Sequence, residues 1–455
     1  MNRYVLIAIL LAPVFSLFFA YPGGNGAVGT QAVIQQPASH VFEIGEDQLV
    51  YSGGADVALV EPYLAINPQD ARNMIAVAMV ARSDRTYGCL ALTSFDGGRT
   101  WQKHDFGISN GGDVWVKFLP SGTAVFSVLA GEKSELQLFR SADGGRTWSG
   151  KPTTLGGGHD HPTLLVDSTG GQFSGSIYAV SANGRKGTTG KLRSAVFVAR
   201  SVDGGLNFLE PSYTVANNLS YEAHNPAIMS DGTLLVPFAD HHRPGDRRRL
   251  ERQRDWLLTS ADGGKSFSEP LLISESCNGA GGWSSLAVGP QGGPFRDRIY
   301  HLCSTDQFAG LEARYSDDRG ETWSPKLTLG QPKNLTPYAR TPAIEVNKLG
   351  IVGVVWYDGR NDRSTIKGAL RCQEIFFAAS VDGAQTFLPE VKVSSDRSCP
   401  GTAQNVETAL RFPAGGEYLG MVATPEGEFR ILWADNRAGI YQLRMVTVRV
   451  VSKSN

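Results

Sequence analysis

The chain has 455 residues, with 43 lysines and arginines against 44 aspartates and glutamates, and this near-neutral balance argues against a nucleic acid as the main partner. Hydrophobic residues make up 41% of the chain and charged residues 19%, which allows a large core and excludes wholesale disorder. The 53 glycines show no collagen-type period and indicate many tight turns between short strands.

Residues 1–20 have the features of a secretory signal peptide. Arg3 precedes an apolar run from Tyr4 to Ala20, which Tyr21-Pro22-Gly23-Gly24 interrupts. We predict cleavage after Ala20 and a flexible leader over residues 21–40. The alternative is an uncleaved membrane anchor, because the run is at the lower limit of length for a span. The sequence therefore predicts a secreted protein, either periplasmic or extracellular.

One octapeptide recurs six times along the rest of the chain. Its form is Ser-x-Asp-x-Gly-x-x-Trp/Phe, except that Ala384 replaces the glycine in the last copy. The copies occupy residues 94–101, 141–148, 201–208, 260–267, 316–323 and 380–387. The aspartate can accept hydrogen bonds from turn amides, the glycine supplies a positive φ, and the aromatic ring anchors the turn in the core. The repeat predicts six hairpin turns with a structural role and no catalytic one.

Strand patterns repeat around each copy. In the sixth unit, strands are expected at residues 342–346, 351–357, 374–380 and 390–394. Four strands in a unit of about 40 to 60 residues describe a β-propeller blade. A seventh set, without the octapeptide, follows at 418–423, 429–434 and 441–450.

The seventh set lacks an outer strand, which the segment Val41–Tyr51 can supply. That pairing would close the ring and remove a sheet edge. We therefore predict an all-β chain: a single propeller of four-stranded antiparallel blades over residues 41–450. Seven blades are favoured and six are the alternative.

The five cysteines suit an oxidising compartment. Cys277 with Cys303, and Cys372 with Cys399, each join the start or end of neighbouring strands of the repeat. We predict these two disulfides and a free thiol at Cys89. The alternative is five buried thiols.

Charged residues are expected to converge at the axis of the propeller. Loops leading into the innermost strands and loops joining the second and third strands share one face. These loops carry, among others, Glu61, Arg82, Asp84, Asp160, His161, Glu222, His224, His241, Arg340, Asp358, Arg360 and Arg437. Such a concentration of charge is costly without a ligand, which indicates a polar binding site. The histidines match no metal-specific spacing, and we predict neither a metal nor a cofactor.

The octapeptide resembles the Asp-box, or bacterial neuraminidase repeat, of the sialidase superfamily. The resemblance covers about residues 41–450 and implies an exo-glycosidase that removes terminal acidic sugars. Arg82-Ser83-Asp84 is similar to the segment that holds the acid/base, so the resemblance makes Asp84 that residue. Tyr338 resembles the nucleophile, and Glu222 resembles the glutamate that activates it.

The resemblance also implies arginines that clamp the substrate carboxylate. Arg340-Thr341-Pro342 is similar to the family's arginine motif, but Glu61-Pro62-Tyr63 stands where that motif should open the first blade. The implied substrate-binding residues are Arg82, Arg243, Arg340, Arg360, Asp362 and Arg437. The alternative for the arginines at 82, 360 and 437 is ion pairing between blades.

The sequence therefore predicts a secreted sialidase-like exo-glycosidase with its active site on the axial face. The alternatives are a non-catalytic carbohydrate- or protein-binding propeller and an assembly factor. The expected partner is a glycan or glycoconjugate, with no nucleic acid, no membrane beyond the N-terminal anchor, and a monomeric chain.

Overall fold

The computed structural model describes residues 40–186, 192–214, 220–241, 253–277, 284–333, 335–363, 370–400 and 406–453. The predicted signal peptide, almost all of the leader, and Arg243 lie outside these described residues. Within them, thirty strands form seven antiparallel sheets, one for each blade of a propeller.

The first three blades follow two N-terminal strands, β1 (His40–Ile44) and β2 (Gln48–Tyr51). The first blade contains β3 (Val57–Asn67), β4 (Asp70–Arg82), β5 (Tyr87–Ser94) and β6 (Gln102–Asp105). The second contains β7 (Gly112–Phe118), β8 (Ala124–Ala130), β9 (Glu135–Ser141) and β10 (Thr153–Thr154). The third contains β11 (His159–Val166), β12 (Ile177–Lys186), β13 (Leu192–Ser201) and β14 (Ser212–Thr214).

The fourth blade has a divided innermost strand. It contains β15 (Ser220–Ala223), β16 (Ala227–Ile228), β17 (Leu234–His241), β18 (Gln253–Ser260) and β19 (Leu271–Cys277). The fifth contains β20 (Ser285–Val288), β21 (Ile299–Ser304), β22 (Leu311–Ser316) and β23 (Leu327–Leu329). The sixth contains β24 (Ala339–Val346), β25 (Val352–Asp358), β26 (Glu374–Ser380) and β27 (Val391–Lys392).

The seventh blade closes the ring with both ends of the chain. Its strands are β28 (Gly420–Ala423), β29 (Phe429–Asp435) and β30 (Gln442–Ser452), and β1 and β2 both pair with β30. Asp47, between β1 and β2, accepts hydrogen bonds from Arg444 (2.5 Å) and Arg437 (3.0 Å). The predicted seven blades and the predicted closure are both confirmed.

The octapeptides form the expected turns. In the second copy, the Ser141 hydroxyl donates to Asp143 (2.7 Å) and accepts from the Gly145 amide (2.7 Å). Thr147 donates to the same carboxylate through its amide (2.9 Å) and its hydroxyl (2.6 Å). Partial burial alone would raise the pKa of Asp143, but these hydrogen bonds lower it to about 2. Ala384, the exceptional residue of the last copy, adopts a φ of 64°, a conformation that costs an alanine more than a glycine.

The core lies between facing blades, because each sheet is apolar on both sides. All seven residues of β25 are buried, which explains its continuous apolar sequence. Between the sixth and seventh blades, the Tyr357 hydroxyl donates to the Ala434 carbonyl (3.1 Å) and accepts from its amide (3.0 Å). This contact satisfies polar groups that burial would otherwise leave without partners.

The cysteines pair as predicted. Cys277 is bonded to Cys303 and Cys372 to Cys399, while Cys89 is a buried free thiol. The two disulfides are consistent with an extracellular protein.

The described part of the chain has little helix. The helices there include α1 (Val406–Arg411) and two 3₁₀ helices, Asp306–Phe308 and Pro413–Gly415. No helix within these ranges combines the length and the apolar character needed to cross a bilayer.

Candidate active site

A cavity of about 880 Å³ opens at the hub, where loops of the first, second, third, fifth and sixth blades meet the segment before the seventh. Acidic and basic side chains share its wall. They are Glu61, Asp113, Asp160 and Glu417 on the acidic side and His161, Arg340 and Arg411 on the basic side. The predicted gathering of charge at the axis is therefore present.

A repeated β-bulge positions several of these groups. In β3, β7, β11 and β24, two residues face one residue of the neighbouring strand at the end that meets the cavity. The first bulged residue is Glu61, Asp113, His161 or Thr341, with φ between 48° and 54°. Residues other than glycine rarely adopt this conformation, and such strain is concentrated at functional sites. The bulges bring equivalent positions of separate blades to one cavity.

His161 links three of the acidic groups. Its Nε2 lies 2.9 Å from Glu417 and its Nδ1 lies 3.4 Å from Glu222. Its backbone amide donates to Asp113 at 3.1 Å. Burial alone would lower the pKa of His161, but the hydrogen bonds to Glu222 and Glu417 and the charges of Asp113 and Asp160 raise it well above the ordinary value. The imidazole is therefore a cation at neutral pH.

Glu61 is the carboxyl group with the most unusual environment. It is 6% exposed, and its side chain accepts no hydrogen bond from the residues that the structure describes. Gly416, at a φ of 111°, packs against it so closely that a Cβ there would collide with the Glu61 side chain. Burial, and then the charges of Asp113 and Glu417, raise the pKa of Glu61 well above its usual range. The surroundings of Glu61 therefore favour its protonated form.

Asp113 shares part of this environment. Burial raises its pKa, although the charge of His161 offsets part of the effect. Asp160 differs, because 69% of its side-chain surface is exposed to solvent. Asp113, Asp160 and His161 present ligand atoms within 4.8 Å of one another, as a divalent cation would require. A metal needs a neutral imidazole, however, and carboxylates engage both ring nitrogens of His161.

Two of the sequence-predicted residues line this cavity, and a third contacts one of its residues. Tyr338 and Arg340 line its wall, and Glu222 reaches it through His161. The Arg340 guanidinium lies 5.1 Å from the ring centre of Phe308, which meets the Tyr338 ring edge-on at 5.5 Å. The structure thus brings together the tyrosine and the arginine that the resemblance selected.

Asp84 and Arg82 lie outside this wall. Asp84 is an exposed residue of the turn after β4, where its carboxylate accepts hydrogen bonds from the Thr86 amide (2.9 Å) and hydroxyl (2.6 Å). The hydrogen bonds from Thr86, the side-chain one first, lower the pKa of Asp84, which disfavours a general acid. Arg82 lines a second cavity that adjoins the first.

Arg360, Asp362 and Arg437 are engaged in local networks. Arg360 pairs with Asp358 and Glu390, each at 2.6 Å. Arg437 pairs with Asp435 (2.7 Å) and Asp47 (3.0 Å). Asp362 accepts a hydrogen bond from the Cys372 amide at 3.3 Å. Arg360 and Arg437 are thus ion-paired, but with partners of their own blade, whereas the alternative from the sequence was pairing between blades.

Three charged residues of the cavity were not selected from the sequence. Asp113 lies in a bulge with no proline after it, and Arg411 and Glu417 flank the 3₁₀ helix Pro413–Gly415. Three of the four bulges have a proline as their second residue, in Glu61-Pro62, His161-Pro162 and Thr341-Pro342. This shared dipeptide pattern could have predicted the bulges from the sequence.

Comparisons with known proteins agree with the repeat. The family model for the BNR/Asp-box repeat matches residues 314–325, which include the fifth octapeptide. A xyloglucanase from Paenibacillus sp. is 25% identical over 247 residues, and this match covers 50% of this chain but 23% of the xyloglucanase.

Solved structures share the architecture. A protein of unknown function from Dyadobacter fermentans has a TM-score of 0.52 at 15% identity, covering 90% of this chain and 99% of that chain. A Hadza microbial sialidase has a TM-score of 0.47 at 15% identity, covering 85% of this chain and 75% of that one. The expected repeat and fold are confirmed: this chain is a seven-bladed β-propeller that carries the BNR/Asp-box repeat.

Proposed function

We propose that the chain is a glycoside hydrolase whose active site is the hub cavity. The observation that carries the proposal is Glu61, a buried carboxyl group that packs against Gly416 and whose pKa is raised by burial and by the charges of Asp113 and Glu417. Glycosidases require a group of this kind, because one carboxylic acid protonates the leaving oxygen while a carboxylate acts as base or nucleophile.

Glu61 is assigned as the general acid and Asp160 as its carboxylate partner. Asp160 is the most exposed carboxylate of the wall, and the cationic His161 lies 3.8 Å from it. Glu417 is bonded to His161 and is assigned to positioning that imidazole. Proton donation by a positioned carboxyl group is worth about 10² to 10⁴ in rate.

The charge of the cavity supports a neutral sugar at the bond that is cleaved. A carboxylate-bearing sugar would lie among Asp113, Asp160 and Glu417, which are like-charged groups when ionised. Aromatic rings also line the wall, namely Tyr87, Phe308, Tyr338 and Phe412, and they offer apolar faces for a sugar ring. The similarity to a xyloglucanase points in the same direction, since that relative is named for a polysaccharide substrate.

A sialidase-type reaction is the second candidate. It is favoured by Tyr338 and Arg340, which share the wall of the hub cavity as a nucleophile and a clamp arginine would. In this reaction Tyr338 attacks the anomeric carbon and Arg340 binds the sugar carboxylate. Turnover of a fluorogenic sialoside that is lost in Tyr338→Phe selects this candidate over the first. Both candidate functions include export of the protein through the predicted signal peptide.

The test is hydrolysis of a panel of aryl glycosides and of polysaccharides that includes xyloglucan. Glu61→Gln is expected to lower kcat by about 10² or more, and Asp160→Asn to have a similar effect. Glu210→Gln, a change of the same kind at an exposed glutamate after the third octapeptide, serves as the control and should leave the rate unchanged. Wild-type activity in Glu61→Gln contradicts the assignment. Glycan binding without hydrolysis across the panel selects the non-catalytic alternative.

A further inference from the structure

A groove beside the hub differs from it in charge. This groove is a cavity of about 300 Å³ lined by the turn after β4 and by α1. It shares Tyr87, Arg411 and Phe412 with the hub cavity, so the two cavities adjoin. The Tyr87 and Phe412 rings meet edge-on, with 6.1 Å between their centres, where the cavities adjoin.

Three arginines and one carboxylate line the groove: Arg82, Arg85, Arg411 and Glu407. Arg85 uses its Nε and Nη2 to bind Glu407 at 3.1 and 2.9 Å, so that pair is neutral as a unit. Arg82 and Arg411 form no ion pair with any carboxylate of the described residues. The groove thus carries two arginines outside ion pairs next to a hub of mixed charge, and the charge of Arg82 also helps to lower the pKa of the nearby Asp84.

Arg82 is held in place by local packing. It is partly buried at the end of β4, and its guanidinium lies over Gly88. A Cβ at Gly88 would stand 3.3 Å from Nη1 of Arg82, so the glycine provides the room that this side chain occupies. A guanidinium fixed in this way loses little freedom when it binds a planar anion, and it can present two parallel N–H donors.

We propose that the groove binds an anionic substituent, a carboxylate or a sulfate, on the sugar next to the one held in the hub. This inference rests on the proposed function and names its substrate class: an oligosaccharide that is neutral at the cleaved residue and anionic at its neighbour. Arg82 and Arg411 contact the anion, and Tyr87 and Phe412 contact the sugar ring that carries it.

The experiment measures binding of three probes to the full-length chain by titration calorimetry: glucuronate, glucose 6-sulfate and glucose. At least one anionic probe should bind about tenfold or more tightly than glucose, because a charge-assisted hydrogen bond contributes that much or more. Preference for glucuronate identifies a carboxylate site, and preference for glucose 6-sulfate identifies a sulfate site. Affinity of the anionic probe should fall as salt is added.

Variants locate the binding. Arg82→Ala should weaken the anionic probe about tenfold and leave glucose unchanged, and Arg82→Lys should restore part of the loss. Arg72→Ala is the matched control, since it removes the same charge from an exposed site of the same blade. Equal binding of anionic and neutral probes, or unchanged binding in Arg82→Ala, overturns the inference. Glu61→Gln should still bind the anionic probe, so a failure of hydrolysis alone refutes the proposed function without refuting the groove.

Discussion

Replacing His161 by asparagine probes the electrostatics of the hub. Asparagine tolerates the left-handed backbone conformation that His161 adopts, at a φ of 49°, and it keeps the amide that donates to Asp113. The substitution therefore removes the positive charge with little change of the backbone. We expect His161→Asn to destabilise the fold, because Glu222 and Glu417 lose their cationic partner.

The size of the effect follows from the two contacts. At 2.9 and 3.4 Å, each pair is worth about 5 kcal/mol of Coulomb energy at an effective dielectric constant of about 20. Desolvation of the buried ions costs several kcal/mol and cancels much of that energy. We therefore expect a loss of about 2 to 4 kcal/mol in the free energy of unfolding at pH 6.

The loss must also depend on pH with a definite sign. The pKa of His161 is raised in the folded chain, so its contribution is fully present below the ordinary value of about 6.5 and disappears as the pH rises through the raised value. Urea unfolding of wild type and variant at pH 6, 8 and 10 measures this trend. His104→Asn, on the outer strand β6, is the control and should change stability by less than about 0.5 kcal/mol. A difference that stays constant over this range, or that is no larger than the control's, refutes the reasoning.

Three further predictions concern single groups whose pKa values are shifted by their surroundings. Burial alone would raise the pKa of Glu312, but hydrogen bonds from Ser274, Ser276 and Arg314 lower it to about 2. In urea unfolding, Glu312→Gln should therefore lower the free energy of unfolding by about 3 kcal/mol at pH 7 and by almost nothing near pH 2. A loss that stays the same in acid would contradict this prediction. Burial raises the pKa of Glu345 to about 7, and the charge of Lys117 opposes this rise. The contribution of protonated Glu345 to the free energy of unfolding is therefore lost as the pH rises through 7. Glu345→Gln, which mimics the protonated form, should therefore unfold at higher urea than wild type at pH 9 and at equal urea at pH 5, and the reverse order would be evidence against a buried Glu345. Burial raises the pKa of Cys89 to about 12. Iodoacetamide at pH 8 should therefore label this thiol in denatured chains but not in native chains, which mass spectrometry measures. Rapid labelling of the native chain would mean that the thiol is accessible to solvent.

The fold could be predicted because its signal is local and repeated. Each octapeptide contains the serine and aspartate whose hydrogen bonds define the turn, with glycine in five copies and Ala384 in the sixth as the amide donor to the serine, and six copies set the spacing of the blades. The closure by residues 40–51 followed from the missing strand of the seventh blade. Only the detail of the closure, the Asp47 contacts with Arg437 and Arg444, depends on residues about 390 positions apart and had no local signal.

Less of the site could be predicted from the sequence, because the site is assembled from single residues of many blades. Tyr338 and Arg340 were selected and line the hub cavity, and Glu222 was selected and contacts His161, whereas Glu61 was expected on the axial face without a catalytic role. Its role depends on burial by Gly416 and on Asp113, which lies about fifty positions further along the chain. Neither burial nor the combined charge of distant loops can be calculated from one strand pattern.

The most direct test is a pH titration of the Glu61 carboxyl group. The titration is monitored by infrared difference spectroscopy of the wild-type chain against Glu61→Gln. A carboxyl signal that is present in wild type at pH 6, absent from the variant, and lost only at a pH well above 4.5 is the expected result. Complete ionisation of Glu61 by about pH 5 would leave the hub without its acid and would contradict the proposed chemistry.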